Sequence, residues 1–321
     1  MTRAGFLIID KPPGITSHDV VATVRAVTGI RKVGHTGTLD PFATGVLPLA
    51  IGRCTRLIQF LDEGCKIYDA TVVLGTATDT ADPTGEVKDE QPVPRLDPDG
   101  VKGVLEGFLG DRMQRPPAYS AVKVKGKRLY KYAREGNPIQ ADARPVRIDS
   151  MELTSLEGRE LGVRITCSRG TYVRVLAEEI AESLGTVGHL GRLARAQSGP
   201  FHIDKALGFP ALSGLVAGRE DWPAVLRPRK GEDRVPWAPR DEVWARLEPW
   251  LCAPPAVLSH LPSVVLSPAQ CELLRGRGAP PPTPAGVAVG ELFVALYEAD
   301  LVAVLRREEA GPKVARMFAP A

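Results

Sequence analysis

The sequence of 321 residues has few cysteines and no long apolar run, and both deficits exclude classes of protein. No stretch approaches the ~18 apolar residues that cross a bilayer, so we expect no membrane span and no membrane partner. The apolar run at 6–9 is also too short for the core of a signal peptide. Because the five cysteines form no CxxC pair and no metal-ligand spacing, we expect reduced thiols in a cytoplasmic protein.

Common motifs for cofactors and nucleophiles are missing as well. The sequence has no G-x-x-x-x-G-K-[ST] phosphate loop, no G-x-G-x-x-G fingerprint, no H-E-x-x-H and no G-x-S-x-G elbow. Its five histidines show no pairing at i and i+4. If the protein is an enzyme, we therefore expect it to work with side chains alone, without a cofactor or a metal.

Charged residues are present in ordinary number but unevenly placed. The chain is 44% hydrophobic and 25% charged, which excludes wholesale disorder, and its net charge is only +3. The segment 112–147 nevertheless carries ten Lys and Arg against two acidic residues. A basic block in a nearly neutral chain is typical of a local contact with a polyanion, although a solvated charged loop fits the charge equally well.

Three tyrosines are interleaved with this basic segment: Tyr119, Tyr130 and Tyr132. Because cations neutralise phosphates and aromatic faces accept unstacked bases, the combination suits an RNA surface. The same tyrosines would also serve as packing anchors, and the residues alone leave both interpretations open.

Apolar periodicity predicts a mixed α+β fold, because strands and helices do not alternate as a regular βαβ repeat. Thr16 or Ser17 is expected to cap a first helix that ends at Gly29. The glycine-rich stretch at 34–52 is predicted to be irregular. The predicted strands lie at 5–10, 68–74 and 161–168, and the other predicted helices lie at 97–110 and 173–184.

The length suggests about two domains, and the prolines suggest where they divide. Thirteen of the 29 prolines fall between 223 and 284, a density that excludes one long helix or a central strand there. The predicted segments are a main domain at 1–250, a basic segment at 112–147 and a proline-rich insertion at about 210–250 within it, and a small β-rich domain at 251–321 with a strand pair at 291–297 and 301–306.

Two short motifs carry candidate chemistry. In G-H-T-G-T-L-D-P at 34–41, glycines allow close backbone approach and the following proline holds Asp40 extended. In C-S-R-G-T-Y-V-R at 167–174, Arg174 falls in the first turn of a helix, where the helix dipole disfavours a cation. A nearby carboxylate would offset that cost, and Asp40 is a candidate. A simple turn at Asp40 and a solvent-exposed Arg174 are the alternatives.

Five ordered motifs give the sequence a resemblance to a known family. They are LIIDKPPGITSHDVV, GHTGTLDPFATGVLPLAIG, KIYDA, PPAYSAVKVKGKRLYKYAREG and CSRGTYVR. In this order they resemble the TruB family of bacterial tRNA pseudouridine synthases, which modify uridine 55 in the T-arm. The resemblance runs from about residue 5 to 204, with a weaker C-terminal match to the family's PUA-like RNA-binding domain. It implies an α+β catalytic domain with a mixed, largely antiparallel sheet and a thumb-like insertion at 112–147.

The resemblance also implies catalytic roles. It assigns catalysis to Asp40, to Arg174 as its ion-pair partner, and to Tyr68 in KIYDA, which stacks on the target base and is implicated in proton transfer from C5. The reaction breaks the N1–C1′ bond of uridine and forms a C5–C1′ bond, so nothing is oxidised and no group is imported. Attack on C6, attack on C1′ and glycal elimination all remain open as routes.

The substrate-binding roles follow from the same resemblance. His35 is implied to fill the space left when bases flip out of the T-loop. Leu193 is implied to line the uracil pocket, and Lys11 and Pro12 to support its floor. The thumb, which folds over the T-arm in this family, contributes Lys123, Lys125, Lys127, Arg128 and Tyr130.

The expected partner is the T-arm stem-loop of tRNA, bound by a monomer with no obligatory protein partner. A guide-RNA-dependent relative, which needs partner proteins, and a non-catalytic tRNA-binding or folding factor are the alternatives. Two departures from the family stand out. Its usual Leu-Arg-Arg is Leu193-Ala194-Arg195 here, which would remove one basic contact, and the proline-rich insertion is longer than expected.

Overall fold

The computed structural model describes residues 3–62, 64–213, 239–276 and 278–318. Within these four ranges the helices are short, the longest has 12 residues, and none is long and apolar enough to cross a membrane. The α-helices in these ranges are α1 (Ser17–Thr28), α2 (Pro98–Glu106), α3 (Leu129–Arg134), α4 (Val173–Ser183), α5 (Phe209–Ser213), α6 (Arg240–Leu247), α7 (Pro254–Val257) and α8 (Pro268–Arg275).

Strands dominate the architecture of the described residues. They are β1 (Gly5–Lys11), β2 (Val33–His35), β3 (Thr44–Ile51), β4 (Cys65–Leu74), β5 (Thr76–Thr78), β6 (Val87–Glu90), β7 (Gly110–Gln114), β8 (Lys123–Val124), β9 (Lys127–Arg128), β10 (Arg144–Glu157), β11 (Glu160–Ser168), β12 (Gly188–Ser198), β13 (Phe201–His202), β14 (Leu207–Gly208), β15 (Leu251–Cys252), β16 (Ser263–Val265), β17 (Leu292–Tyr297), β18 (Asp300–Glu308) and β19 (Gly311–Met317).

Eleven of these strands form one mixed sheet with the main order β14-β1-β3-β12-β4-β11-β10-β7. The short strands β2, β13 and β15 add to it by pairing with β3, β12 and β1. The pairs β1–β14 and β3–β12 are parallel, and the other neighbours are antiparallel. The expectation of an α+β fold with a mixed, largely antiparallel sheet is confirmed.

A separate sheet of order β16-β17-β18-β19 lies near the C-terminus, so the expected small β-rich domain is present. Its strands β17 and β18 are the predicted C-terminal strand pair. Two further strand pairs, β5–β6 and β8–β9, stand outside both sheets.

The first helix shows how local sequence sets an element's limits. Thr16 is the N-cap of α1: its hydroxyl accepts a hydrogen bond from the Asp19 N–H, and the Asp19 carboxylate accepts one from the Thr16 N–H. This reciprocal capping satisfies two backbone donors that a helix start leaves unpaired. At the other end Gly29 adopts a left-handed φ of 70°, which glycine adopts without steric cost. The predicted helix is therefore confirmed, with Thr16 as its cap.

The prediction of an irregular stretch at 34–52 was wrong for its second half. Residues of this stretch form β3, which lies between β1 and β12 near the middle of the large sheet. Gly45 and Pro48 suggested a loop, but Gly45 (φ 96°) lies where a Cβ would approach the Arg195 carbonyl oxygen to 2.3 Å. The glycine therefore marks a close contact between two strands rather than a turn.

The strand β1 is buried on both faces, which explains its unbroken apolar sequence. Leu7 and Ile9 face a core shared with α1, α4 and α6. Phe6 and Ile8 face a second core, which includes Val294, Val304 and other residues of the C-terminal sheet. One strand thus joins the large sheet to the packing of the C-terminal strands.

The domain limits at 1–250 and 251–321 stay a prediction. The strand β15, at 251–252, pairs with β1 in the large sheet, and the smaller sheet begins at Ser263. Most of the predicted proline-rich insertion, at 214–238, lies outside the described residues, whereas its end at 240–247 is the helix α6.

Candidate active site

Asp40 lies in the loop between β2 and β3, and neighbouring segments hold this loop in place. The Ser17 hydroxyl, at the start of α1, accepts a hydrogen bond from the Leu39 N–H at 2.8 Å and donates one to the Leu39 carbonyl at 3.0 Å. The Gly14 N–H donates to the Pro41 carbonyl at 2.8 Å. Because the backbone is fixed on both sides of Asp40, the fold itself sets the direction of the carboxylate.

Lys11 supports the same loop from the end of β1. Its fully buried ammonium donates to the carbonyls of Pro12 at 2.9 Å, Pro41 at 3.1 Å and Ala43 at 2.6 Å. Burial lowers the pKa of Lys11 to about 8, and the nearby Asp40 carboxylate opposes that shift. Lys11 therefore stays mostly protonated at neutral pH and ties Pro12 to the Asp40 loop.

Arg174 is the partner of Asp40. Its Nε lies 3.0 Å from the Asp40 carboxylate, and its side chain is only 5% exposed, against 34% for Asp40. The other guanidinium nitrogens donate to the Thr80 carbonyl at 2.9 Å and the Tyr119 carbonyl at 2.7 Å. Nη1 also lies 3.5 Å from the Asp82 carboxylate. The expected pairing of Asp40 with Arg174 is present, and it joins three separate segments of the chain.

The charges around Asp40 shift the pKa of its carboxyl in opposite directions. Burial raises the pKa of the Asp40 carboxyl, the Arg174 guanidinium lowers it, and the Asp82 carboxylate raises it further. A carboxylate of this kind needs its arginine in order to be ionised in a partly dry cleft.

Tyr68 lies on β4, beside β12, and its side chain is buried. On β12 the Cα partner of Tyr68 is Arg195, and Leu193 is the partner of Ala70 two residues further along. Since side chains two residues apart share a face of a strand, Tyr68, Leu193 and Arg195 lie on one face of the sheet. Asp40 is near enough to raise the pKa of Tyr68, so the structure brings the predicted Tyr68 and Asp40 together.

His35 lies at the end of β2, five residues before Asp40. Burial lowers the pKa of its imidazole, and the nearby Arg195 and His18 lower it further. Its Nδ1 is buried without a hydrogen-bond partner among the described residues. A neutral ring of this kind is suited to stacking or filling space rather than to carrying charge at neutral pH.

The predicted thumb residues gather in one small unit. Strands β8 and β9 form a hairpin with Lys125 and Gly126 at its tip, and both residues have positive φ, as a two-residue type I′ turn requires. Lys123 and Arg128 are direct cross-strand partners, an arrangement of like charges that costs stability. The following helix α3 carries Tyr130 beneath the guanidinium of Arg134. These contacts show an ordered basic hairpin rather than a loose charged loop.

Two residues of the site were missed by sequence analysis. Asp82 follows Ala81, whose positive φ of 57° turns the chain so that the Asp82 carboxylate accepts hydrogen bonds from Thr80 and Thr84. The clustered threonines and aspartates at 78–86 were the only signal, and they also fit an ordinary turn. Arg195, noted only as part of a departure from the family, is 2% exposed and lies beside Tyr68.

A family model described as TruB family pseudouridylate synthase (N terminal domain) matches residues 25–173. The match contains Asp40 and Tyr68 and ends one residue before Arg174. This match covers a little under half of the chain and indicates the class of the pseudouridine synthases.

Comparison with individual proteins agrees with this match. The tRNA pseudouridine synthase B of Geobacter sulfurreducens is 47% identical over 212 residues, which cover 66% of this chain and 70% of the relative. That of Bacillus licheniformis is 43% identical over 267 residues, or 81% and 86% of the two chains. In the crystal structure of a Cbf5-Nop10-Gar1 complex, one chain matches with a TM-score of 0.69 and 26% identity over 98% of this chain and 85% of that one. The protein belongs to the TruB family.

Proposed function

We propose that the protein isomerises uridine 55 in the T-arm of tRNA to pseudouridine, by base flipping and a catalytic Asp40, without a cofactor. The name shared by the curated relatives supports tRNA as the substrate. The observation that carries the proposal is the Asp40–Arg174 ion pair beside the buried Tyr68. We place the reaction in the cytoplasm, carried out by a monomer without an obligatory protein partner.

The exposure of the ion pair decides which of its members meets the substrate. Arg174 is almost wholly buried, whereas a third of the Asp40 side chain is open. The carboxylate is therefore the group that reaches an entering nucleotide, and the arginine acts by keeping it charged and oriented. From this position Asp40 serves equally as a nucleophile toward C1′ or C6, or as a base toward a sugar proton.

A uracil that has flipped out of the T-loop needs a flat, apolar surface to bind to. Tyr68 and Leu193 supply a ring and an aliphatic surface on one face of the sheet, next to Asp40. Flipping costs a few kcal/mol of stacking and pairing, and a ring that takes the place of the base recovers part of it. The neutral His35, in the same loop region, is suited to that role.

A second candidate is guide-RNA-dependent modification, which needs partner proteins. The likeness to a chain of the Cbf5-Nop10-Gar1 complex favours it, because that chain occurs together with other proteins. The ordered basic hairpin at β8–β9 favours the stand-alone enzyme instead, because it supplies RNA contacts from the chain itself. A non-catalytic tRNA-binding or folding role is the third.

Tritium release from a T-arm stem-loop labelled at uracil C5 separates these candidates. We expect the purified protein alone to release tritium from the target uridine, because the C5 proton must leave when C5 bonds to C1′. No release without an added guide RNA would support the second candidate. Tight binding without any release would support the third, and either result would overturn the proposal.

The basic hairpin is expected to hold the RNA through its phosphates. Lys127 is already ion-paired with Glu135, so we choose Lys123, Lys125 and Arg128 for the test. Changing all three to Glu keeps a like-charged pair across β8 and β9 but reverses its sign. We expect weaker T-arm binding and a slope of log affinity against log salt that is smaller by roughly two, since each phosphate contact contributes about 0.7–0.9 to it.

The matched control changes three exposed cations outside the thumb, Arg95, Lys205 and Arg246, to Glu. This variant has the same net charge as the hairpin variant. If both lower the affinity and the slope equally, the hairpin has no special contact with phosphate and the effect is one of overall charge.

A further inference from the structure

Arg195 is a buried cation that belongs neither to the Asp40–Arg174 ion pair nor to the thumb. Its side chain is among the largest fully buried ones of the protein, on a strand in the middle of the large sheet. Its Nε donates to the Val46 carbonyl at 2.8 Å, and Nη2 donates to the Gly37 carbonyl at 3.2 Å. The guanidinium thus joins β3 to the loop that carries Asp40.

The same guanidinium belongs to the direct cross-strand partner of Tyr68, on the same face of the sheet, and it lowers the pKa of the Tyr68 phenol. No ion pair joins it to any carboxylate in the part of the chain that the structure describes, although a buried guanidinium is normally paired with one. Its observed hydrogen bonds go instead to two backbone carbonyls, so no carboxylate of the described residues neutralises its positive charge beside Tyr68. Electrostatic attraction to a negative charge is strong in a site that excludes water.

We propose that Arg195 is a positioning residue for the reaction: it holds the Tyr68 hydroxyl as an acceptor of its own hydrogen bond, and so directs the phenol proton toward the departing uracil. This inference rests on the proposed function. When N1–C1′ breaks, its electron pair stays on the base, which becomes an anion spread over N1 and the carbonyl oxygens. On the sugar side, C1′ bonds to an Asp40 oxygen or, on the glycal route, C2′ gives its proton to Asp40 as the C1′–C2′ double bond forms. The polarised O–H of Tyr68 donates a hydrogen bond to the base anion, and no proton leaves Tyr68 in this step.

The surroundings of Tyr68 favour a neutral phenol that donates a hydrogen bond. Burial raises the pKa of Tyr68, and the Cys167 thiol on β11 and the Asp40 carboxylate add to this shift. Arg195 is the group that lowers the pKa. The balance keeps the proton on Tyr68 at neutral pH, while Arg195 makes that proton a stronger hydrogen-bond donor.

The first test measures Tyr68 without relying on turnover. Tyr68 is replaced by trifluorotyrosine, whose phenol ionises far below that of tyrosine, and its ionisation is followed by fluorine NMR. We expect Arg195→Met to raise the pKa of this phenol by about one unit or more, and Arg195→Lys to leave it close to that of the otherwise unchanged protein. An unmoved pKa in Arg195→Met would overturn the contact.

The second test measures the reaction. We expect Arg195→Met to lower single-turnover pseudouridine formation roughly 10- to 100-fold with T-arm affinity unchanged, and Arg195→Lys to restore part of the rate. The control is Arg192→Met, which removes an exposed arginine from the same strand and should have no effect. The wild-type rate should not rise from neutral to alkaline pH, as a phenolate base would require. Such a rise, or an unchanged rate in Arg195→Met with the pKa shift present, would overturn the catalytic role. A wild type inactive on every RNA would instead refute the proposed function.

Discussion

Asp40→Asn is expected to abolish pseudouridine formation while RNA binding is retained. The amide keeps the size of the side chain but has no charge and no nucleophilic oxygen, so we expect single-turnover formation to fall by at least about 10⁴-fold, as when an enzyme loses its nucleophile. The backbone around residue 40 is fixed by Ser17, Gly14 and Lys11, so the loop should keep its shape. The measurement is tritium release from C5, together with T-arm affinity.

The matched control is Asp99→Asn, which changes an exposed aspartate at the start of α2 in the same way. It should leave both rate and affinity unchanged. If Asp40→Asn retained more than a small fraction of the rate, Asp40 would not be the catalytic carboxylate, and the proposed mechanism would fail at its centre.

Arg174→Met is expected to have the second-largest effect, because Arg174 binds two carboxylates and two carbonyls at once. Removing one partner of a buried ion pair costs about 3–5 kcal/mol of folding stability, and we expect the free energy of unfolding to fall accordingly. We expect the rate to fall by roughly 10²- to 10³-fold, since the carboxylate loses the donor that orients it. Denaturant unfolding and tritium release measure the two effects separately.

The pH profile separates loss of charge from loss of fold. Burial and Asp82 already raise the pKa of Asp40, and Arg174 opposes them. Without the arginine that pKa rises further, so a rate that needs ionised Asp40 should begin to fall at a higher pH than in the wild type. Part of the lost activity should return as the pH is raised.

Arg164→Met provides the comparison, because Arg164 also binds an aspartate, Asp69, through two hydrogen bonds of 2.8 and 3.0 Å. That pair is exposed, and exposed ion pairs contribute only about 0–1 kcal/mol. Its loss should leave the rate and the pH profile unchanged. An Arg174→Met protein with a wild-type pH profile would show that Arg174 does not control the charge of Asp40.

Much of this site could be predicted from sequence because its residues lie in contiguous motifs. Asp40 and Arg174 are 134 positions apart in the chain, yet the cost of a cation in the first turn of α4 already called for a carboxylate nearby. Asp82 and Arg195 could not be found in this way. The direction of Asp82 depends on the left-handed backbone of Ala81, and the role of Arg195 depends on the pairing of β12 with β4.

The fold was predictable where an apolar stripe or an unbroken apolar run marks an element, as in α1 and β1, and poorly predictable where glycine, proline or polar residues interrupt the pattern. The stripe of α1 and its caps gave its limits correctly. The strand β3 was mistaken for irregular structure because it contains a glycine and a proline, and because periodicity cannot signal a strand that packs on both sides. The long strands β10 and β12 were not predicted, since their polar residues interrupt the apolar pattern.

The double burial of β1 has a consequence for how the protein can be divided. A shortened chain that stops before the C-terminal strands would leave Phe6, Ile8 and Val46 of the large sheet in contact with water. An uncovered apolar area of that kind favours self-association. The C-terminal strands therefore cover apolar residues of the large sheet. Their sequence is constrained by the need to keep the protein in solution as well as by any RNA that they contact.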